Sequence, residues 1–589
     1  RMLLEIVHAS GPSGRMGLDL TSAGLALGAA PSGVDLADLG KAELSVPITA
    51  PQTAGLHQIR IALTTPDGKL LEKMLTLPVQ QNDPAVAHQS RFDLAAGNSF
   101  TFDANALSGF VPGTARAMLA VGPLAQFDTA ALLDALDTYP YGCTEQVTSK
   151  ALPLLYLSSV AETMGLASPA DLRDRVEVAI RKVLTNQDAS GAFGLWSASS
   201  GDLWLDAYVS DFLSRARHEG YAVPDAAFRN AMDNLRNQVN YAPDFDGGSN
   251  GGGRDLAYAL MVLAREGAAS VSDLRYYADV KGGDFATPLA AAQLGAALAS
   301  YGDQTRADAM FARAAALLAQ PEDVALWRAD YGTALRDRAG VLALAAGAGS
   351  QAVPLADLGQ GLASRIAGQR LSTQEAAWTL LATHAMIDRP GLDGFTVNGA
   401  PVDGPLLRMI GADTAGQSLD VRNGTARPAV LTLTTIGVPE VPEPAGGKGY
   451  SITRQLYAFD GSPVDPGAVK QGDRLVEVLE ITPHGPVEAR LMVADPLPAG
   501  FEIDNPSLLR AGDLAALDWL QVEENTEMTE FRQDRFLAAL NWRSDRPFRL
   551  AYILRAVSPG SFHRPAASVE DMYRPDQRAQ TGAERVVIE

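Results

Sequence analysis

The feature that most constrains the fold is a change of periodicity along the chain. From about residue 127 to about 388, helical patterns recur roughly every 20 residues, with Gly, Pro, Asp and Ser between them. The flanking segments instead show partial period-two alternation and the turn residues typical of β-hairpins. About twelve helices with short links indicate an antiparallel α/α toroid more than a four-helix bundle. The chain is therefore expected to be multidomain, with β-structure before and after one helical domain.

The expected domain boundaries follow from where these patterns change. A stretch rich in Pro and Gly separates the last β-domain from the rest and is interpreted as a linker. The predicted units are a β-sandwich over 1–85, a first β-segment over 86–126, the helical domain over 127–388, a second β-segment over 389–438, and a C-terminal β-sandwich over 439–589.

Several helix boundaries can be predicted from single residues. Pro153 interrupts an apolar-periodic stretch and should kink or split that helix, because proline lacks the N–H that a helix interior needs. Pro169 follows Ser168 and is expected at a first helical position. The segment 372–375, Ser-Thr-Gln-Glu, has the spacing of a capping box at a helix start.

Composition excludes some classes of function. The 589 residues carry a formal net charge of −21, and no basic patch typical of a nucleic-acid binder stands out. No run is apolar enough to cross a membrane, so membrane association is expected only through an N-terminal anchor that this chain does not contain. The chain begins abruptly inside an apolar stretch and is interpreted as the C-terminal piece of something longer. One cysteine and scattered histidines have no metal-ligand spacing, so neither a metal nor a cofactor is predicted.

The most reactive candidate is Cys143, the single cysteine, which cannot form an internal disulfide. It stands in the run Gly142-Cys143-Thr144-Glu145-Gln146. A thiol held against the Gln146 side chain can attack the carboxamide carbon, and loss of ammonia then leaves an internal thioester. Gly142 is expected to supply an unusual backbone conformation for the tight approach. A buried, unreactive cysteine is the common alternative, and the motif argues against it.

The helix that follows Cys143 is expected to influence this chemistry. A helix N-terminus carries partial positive charge, which predicts a lowered thiol pKa and donors for a tetrahedral oxyanion. Glu145 is interpreted as an acid well placed in a first helical turn, without a chemical role. Tyr139 and Tyr141 are candidates for a lid, since a stored thioester must be kept from water.

The run Gly-Cys-Thr-Glu-Gln resembles the thioester signature Gly-Cys-x-Glu-Gln of the α2-macroglobulin and complement family. The resemblance implies that the α/α toroid is a thioester domain inserted in a CUB-like β-domain, with macroglobulin-type β-sandwiches on either side. The segment 562–575 also resembles the C-terminus of bacterial members. There, Met572 and Tyr573 are weaker candidates for covering the bond, and ordinary packing explains them equally well.

The resemblance further implies a broad-spectrum peptidase inhibitor that acts once and is not an enzyme. A peptidase would cut a bait segment, which is not found in this chain, and a lysine amine of that peptidase would attack the Gln146 acyl carbon and release Cys143. The expected location is the periplasm or cell envelope, with an inner-membrane lipoprotein as one form of the full-length protein. A monomer is expected.

Two other classes stay open at the sequence level. A Cys-dependent acyl-transfer enzyme needs a histidine beside Cys143, and only His218 and His384 lie in the helical block; His218 is interpreted as an exposed helix end and His384 as core. A terpene-cyclase-like toroid would use the acids between 202 and 211, which lack a tight acidic motif; the preceding segment 187–196 is interpreted as a Gly turn that packs helix pairs together. Some complement relatives carry a histidine about a hundred residues after the cysteine that redirects attack to hydroxyls. Its absence here leads to the hypothesis that amines are preferred.

Overall fold

The computed structural model describes most of the chain, and its account below concerns those residues. They are 1–51, 54–79, 82–163, 168–321, 327–387, 394–402, 406–411, 419–485, 488–504, 514 and 517–589.

The first domain, here called the N-terminal sandwich, is built from short antiparallel strands. The main sheet has the order β4-β2-β7-β8, and β1 pairs with β5 while β3 pairs with β6. Its core includes Met2, Leu25, Val46 and Ile59. The strands are β1 (Met2–Val7), β2 (Gly14–Ala23), β3 (Ala26–Leu27), β4 (Gly33–Leu36), β5 (Lys41–Val46), β6 (Ile48–Thr49), β7 (Gly55–Thr64) and β8 (Leu70–Val79).

The second domain, the split sandwich, is assembled from two distant parts of the chain. One sheet has the order β14-β11-β16-β9 and the other β10-β15-β12-β13, so each sheet combines strands from before and after the helices. This pairing confirms that the helical domain is an insertion in a β-domain. The strands are β9 (Val86–Leu94), β10 (Ser99–Thr101), β11 (Arg116–Val121), β12 (Phe395–Val397), β13 (Ala400–Val402), β14 (Leu406–Ile410), β15 (Asp420–Asn423) and β16 (Ala429–Gly437).

The helical domain is a closed ring of inner helices with others packed outside. The described residues hold fourteen α-helices, of which thirteen lie in the predicted range 127–388, where about twelve were expected: α1 (Pro123–Gln126), α2 (Thr129–Thr138), α3 (Thr144–Ala151), α4 (Leu154–Thr163), α5 (Pro169–Thr185), α6 (Leu203–His218), α7 (Asp225–Asn240), α8 (Arg254–Arg265), α9 (Val271–Asp279), α10 (Pro288–Ser300), α11 (Gln304–Leu318), α12 (Ala334–Gly347), α13 (Leu355–Ile366) and α14 (Thr373–Ile387). Contacts run from α3 to α6, α8, α10, α12 and α14, and α14 returns to α3. The predicted α/α toroid is therefore confirmed.

The helix boundaries follow the local signals in the sequence. The chain leaves α3 after Ala151 and begins α4 at Leu154, so Pro153 splits the helix as predicted. Helix α5 begins at Pro169, after a Ser168 cap. The capping box at the start of α14 is also present, because Ser372 N donates to Glu375 Oε2 (2.8 Å) and Glu375 N donates to Ser372 Oγ (3.3 Å).

The last domain, the C-terminal sandwich, stacks a six-stranded sheet on a four-stranded one. The sheet orders are β17-β27-β26-β20-β23-β22 and β18-β19-β24-β21, with β25 paired to β28. The strands are β17 (Gly446–Lys448), β18 (Tyr450–Tyr457), β19 (Arg474–Pro483), β20 (Ala489–Pro496), β21 (Phe501–Ile503), β22 (Met528–Phe531), β23 (Arg535–Trp542), β24 (Phe548–Ala556), β25 (Gly560–Arg564), β26 (Ser568–Asp571), β27 (Arg574–Gln580) and β28 (Glu584–Ile588).

The contact between the C-terminal sandwich and the helical domain positions the site. Met492 and Leu537 of the six-stranded sheet belong to the same buried apolar cluster as the inner helices. The turn between β26 and β27, formed by Met572 and Tyr573, belongs to it as well. Met572 N donates to Arg490 O on strand β20 (2.9 Å), which fixes this turn against the sheet. The turn therefore reaches from the sandwich into the helical domain.

Candidate functional site

Cys143 is the N-cap residue of α3, and Gln146 is the third residue of that helix. The pair forms a capping box in which Gln146 N donates to the Cys143 sulfur, while Cys143 N donates to Gln146 Oε1 at 3.1 Å. Both side chains are buried, Cys143 being 1% and Gln146 0% exposed. The spacing of three residues thus brings the thiol and the carboxamide together through ordinary helix-start geometry.

Gly142 lies next to this pair but does not adopt the unusual backbone expected of it, since its φ is not positive. Its contribution is space: a Cβ at this position would lie 2.7 Å from Lys182 Nζ and 4.0 Å from Val147 Cγ2. Because Lys182 Nζ is the end of a flexible side chain, the constraint on this position is mild.

A loop of the helical domain holds the start of α3. Thr144 N donates to Leu195 O (2.8 Å), and the Thr144 hydroxyl donates to Gly194 O (2.6 Å) while accepting from Asn186 Nδ2 (2.8 Å). Gly194 permits this tight path, since a Cβ there would lie 1.8 Å from Ser197 O. The sequence interpretation of 187–196 as a packing turn missed this second role, which the paired glycines Gly191 and Gly194 could have signalled.

Glu145 is the centre of a buried hydrogen-bond network and is 0% exposed. Its Oε1 accepts from Ser149 Oγ (2.5 Å) and Gln374 Nε2 (2.7 Å), Thr373 Oγ1 lies 3.0 Å from both oxygens, and Oε2 accepts from the Tyr573 hydroxyl (2.8 Å). Burial raises the pKa of Glu145, and these donors oppose that rise. Glu145 does lie in the first turn of α3, as predicted, and its hydrogen bonds also join α3, α14 and the C-terminal sandwich.

The pKa of the Cys143 thiol is raised, not lowered as expected from the helix N-terminus. Burial is the largest cause, and the neighbouring Glu145 carboxylate adds to it. Hydrogen bonds from the backbone of α3 and from Tyr573 act in the opposite direction and do not compensate. Burial therefore outweighs the helix N-terminus and favours the neutral thiol over the thiolate.

The turn between β26 and β27 covers this pair. Met572 Sδ accepts from Gln146 Nε2 at 3.2 Å, and Met572 is 3% exposed. The Tyr573 ring meets the Tyr331 ring edge-on, with centroids 5.1 Å apart. Both residues, proposed from the sequence only weakly, thus lie directly at the site.

The two tyrosines that precede the motif pack against each other beside it. The rings of Tyr139 and Tyr141 are perpendicular, with centroids 5.2 Å apart, and Tyr141 is 7% exposed. The Tyr139 hydroxyl faces Glu570, at the end of β26, and burial raises the pKa values of both of these groups. The tyrosine pair therefore lies between the start of α3 and the C-terminal sandwich.

Arg490 of β20 joins the sandwich to the helical domain behind Tyr573. Its guanidinium lies 4.0 Å from the Tyr331 ring centroid, 5.1 Å from that of Trp327 and 5.6 Å from that of Tyr573. Arg490 Nη2 also donates to Ala329 O (3.3 Å). No sequence motif marked this residue, because its three aromatic partners come from two separate segments.

The histidines and acids considered for an acyl-transfer enzyme or a terpene-cyclase-like toroid contact other residues of the helical domain. His218 Nε2 lies 3.3 Å from Glu266 Oε1, and the His384 ring stacks on Tyr156. Asp211 forms ion pairs with Arg215 and Arg265, which hold its pKa at about 2. Across the described ranges, no group of three or more His, Cys, Asp or Glu side chains could hold a metal ion.

The acids at the start of α6 are also occupied. Asp206 accepts from Phe193 N (2.6 Å) and Asn234 Nδ2 (2.9 Å), and Asp202 accepts from Leu205 N (3.0 Å) and the Tyr331 hydroxyl. Asp202 thus caps helix α6 and Asp206 holds the preceding loop. These structural roles explain both acids without a terpene-cyclase-like site. Among the described helices, none combines the length and apolarity that a membrane crossing requires.

Comparison with known proteins places the two main domains. A model described as the A-macroglobulin TED domain matches residues 116–242, and one described as the bacterial alpha-2-macroglobulin MG10 domain matches residues 449–576. The chain is 29% identical to an alpha-2-macroglobulin of Escherichia coli K12, over 100% of this chain and 37% of the relative. It is also 29% identical to one of Xylella fastidiosa Temecula1, over 98% of this chain and 37% of the relative. It thus spans a little over a third of these relatives' length.

Solved structures agree with this placement. The E. coli alpha-2-macroglobulin crystal structure from domain MG7 to the C-terminus superposes with a TM-score of 0.87 at 28% identity, covering 100% of this chain and 96% of that one. The Salmonella protein reacted with methylamine gives a TM-score of 0.86 at 29% identity, covering 100% of this chain and 39% of that one. The sequence and the structure of this chain thus match the C-terminal portion of bacterial α2-macroglobulins.

Proposed function

We propose that this protein stores an internal thioester between Cys143 and Gln146 and uses it once to bind a peptidase covalently. Formation joins the Cys143 sulfur to the Gln146 acyl carbon and releases ammonia. In the later reaction, a lysine amine of the peptidase attacks that carbon, an amide bond forms, and the Cys143 thiolate leaves. The protein is consumed, so it is an inhibitor and not a catalyst.

The observation that carries the proposal is the geometry of the pair itself. The sulfur accepts from the Gln146 backbone, and the Gln146 carbonyl oxygen accepts from Cys143 N at 3.1 Å. That N–H points at the oxygen that becomes negative when the acyl carbon is attacked, and such donors stabilise tetrahedral intermediates strongly. The same donor serves both the formation and the opening of the thioester.

The position of Met572 supports the idea that the bond is stored before use. The Gln146 amide nitrogen occupies the place that a lysine nitrogen takes in the product, and Met572 Sδ lies 3.2 Å from it. A lysine carries a carbon chain on that nitrogen and needs the space of the methionine. The turn between β26 and β27 therefore has to move before a protein amine can react.

Amines are the proposed nucleophiles because, among the described residues, no histidine is found beside the Cys143 thiol. The residues that shift the pKa of this thiol are Glu145, Gln146 and Tyr573. Neither His218 nor His384 is among them, and both have other partners. An imidazole that could redirect attack to hydroxyl groups is therefore not part of the proposal. Glycan esters as the dominant products would contradict this preference.

The test is covalent capture by the whole protein. It is incubated with a peptidase, and adducts that survive boiling in detergent are mapped by peptide mass spectrometry. We expect a bond between position 146 and a peptidase lysine. Cys143→Ala should form no adduct, and neither should a peptidase whose lysines have been dimethylated. Adducts of equal yield with Cys143→Ala would refute the proposal.

The proposal also includes the place of action and the form of the protein. A monomer in the periplasm or cell envelope would meet peptidases that arrive from outside the cell. Fractionation of cells that express the protein, with size determination of the released material, tests both parts. Recovery in the cytosolic fraction would count against the location.

A further inference from the structure

The hydrogen bond from Tyr573 to Glu145 joins two domains next to the Cys143–Gln146 pair. Tyr573 belongs to the C-terminal sandwich, whereas Glu145 and Cys143 belong to the helical domain. The Tyr573 hydroxyl donates to Glu145 Oε2 at 2.8 Å, and Tyr573 and Glu145 are 6% and 0% exposed. Covering a thioester requires only the bulk of the ring. A buried hydroxyl aimed at a buried carboxylate adds a path for a proton.

The chemistry of thioester formation requires such a path. The attacking sulfur must lose its proton, and the departing amide nitrogen must gain one to leave as ammonia. Burial and the neighbouring Glu145 raise the pKa of the thiol, which disfavours the free thiolate. The turn that carries Tyr573 reaches the thiol–carboxamide pair, because Met572 Sδ lies 3.2 Å from Gln146 Nε2. The same turn brings the Tyr573 hydroxyl to Glu145, two residues from Cys143, and this hydroxyl partly offsets the rise in the thiol pKa.

We propose that Tyr573 and Glu145 relay the Cys143 proton during thioester formation, so that the bond forms only after the C-terminal sandwich has docked. This inference rests on the proposed function and adds a role for the covering turn. As the sulfur attacks the Gln146 acyl carbon, its proton passes to the Tyr573 oxygen, and the Tyr573 proton passes to Glu145. The carbon–sulfur bond forms and the carbon–nitrogen bond breaks. Glu145 then gives up this proton, which becomes the third proton of the departing ammonia, and Tyr573 and Glu145 return to their starting states, so atoms and charge balance.

The surroundings of Glu145 fit an acceptor that is used transiently. Its hydrogen-bond donors Ser149, Thr373, Gln374 and Tyr573 are all neutral, and none is a lysine or arginine that would hold the carboxylate permanently charged. A neutral shell allows the carboxylate to accept a proton more readily than an ion pair does. Because the bond forms only after the C-terminal sandwich has docked, the thioester is covered as soon as it forms.

The test reads the chemical state of position 146 in freshly purified protein. The protein is denatured in methylamine, digested and analysed by mass spectrometry, which distinguishes three outcomes. A thioester yields the methylamide, a thioester that never formed yields Gln146, and one that formed and hydrolysed yields Glu at that position. A variant that only uncovers the bond increases the fraction with Glu at position 146. A variant that prevents formation of the bond leaves Gln146.

Tyr573→Phe keeps the ring and removes the hydroxyl, and Glu145→Gln keeps the shape and removes the proton acceptor. We expect both variants to retain mostly Gln146 with a free thiol. Tyr552→Phe is the matched control, since it removes a buried tyrosine–carboxylate hydrogen bond of the same length, 2.8 Å to Asp495, in the same domain. It should yield the methylamide in the wild-type proportion.

A rate measurement completes the test. Ammonia cleaves the thioester back to Gln146 and a free thiol, and its removal allows the bond to form again. We expect re-formation to be about a hundredfold slower in Tyr573→Phe, a typical contribution of a positioned proton acceptor. Equal rates, or Glu instead of Gln at position 146 in the variants, would overturn the proposed relay. Neither result would contradict the proposal that the protein stores a thioester. A wild-type protein without methylamide would instead refute the proposed function itself.

Discussion

Replacing Met572 with alanine tests whether the C-terminal sandwich controls access to the bond. Met572 is 3% exposed, and its sulfur lies 3.2 Å from the Gln146 amide nitrogen. The substitution removes Cγ, Sδ and Cε, which leaves room for about two water molecules at roughly 30 Å³ each. Water and small amines would then reach the acyl carbon without movement of the turn between β26 and β27.

The size of the effect can be worked out from the buried side chain. Truncating a buried methionine to alanine costs about 2–5 kcal/mol. If that energy holds the turn over the site, its loss shifts the equilibrium between covered and open turn toward the open state by the same free energy. Because about 1.4 kcal/mol corresponds to a factor of ten, the low end of the range gives roughly 30-fold faster reaction.

The assay follows incorporation of methylamine with time by intact mass spectrometry. Met310→Ala is the matched control, because Met310 is also 3% exposed but lies on α11 in the helical domain. We expect the control to lower the melting temperature without changing the methylamine rate, and Met572→Ala to increase the rate. If the two variants react equally fast, Met572 does not cover the bond and the reasoning fails.

Two further substitutions probe the surroundings of the site. Arg490→Met should speed methylamine incorporation about 2- to 30-fold, because cation–π contacts with Tyr331 and Tyr573 are worth about 0.5–2 kcal/mol; a wild-type rate would show that Arg490 does not hold the turn. Burial raises the pKa of Asp206 from 3.8 to about 7, so its contribution to stability is complete below about pH 4 and is lost as the pH rises through 7. Asp206→Asn, which can still accept from Phe193 N, should flatten the fall in melting temperature between pH 5 and 8, and an unchanged slope would contradict this assignment.

Local signals predicted much of the fold because they act over a few residues. Pro153 splits its helix and Ser372 caps α14 whatever the distant chain does, since both effects concern backbone donors within one turn. The insertion of the helical domain in one β-domain was implied by the resemblance to the α2-macroglobulin and complement family, since strands on both sides of the helices do not by themselves show a shared sheet. The exact pairing of β11 between β14 and β16 could not, since register depends on side chains that meet only after folding.

The candidate site was predictable where its parts are close in sequence. Cys143 and Gln146 are three residues apart, and the capping box follows from that spacing. The network around Glu145 could not be predicted, because three of its four hydrogen-bond donors, Thr373, Gln374 and Tyr573, lie 228 to 428 residues away in the sequence. The direction of the thiol pKa shift could not be predicted for a similar reason, because the helix end is visible in the sequence whereas the burial that raises the pKa arises only on folding.

The most direct test of the central claim is the intact mass of the purified protein before and after methylamine. A stored thioester predicts a mass one ammonia lower than that of the sequence, and a gain of one methylamine after treatment. That gain should map to position 146 and be absent from Cys143→Ala. A protein with the full sequence mass and no methylamine incorporation would contradict the account.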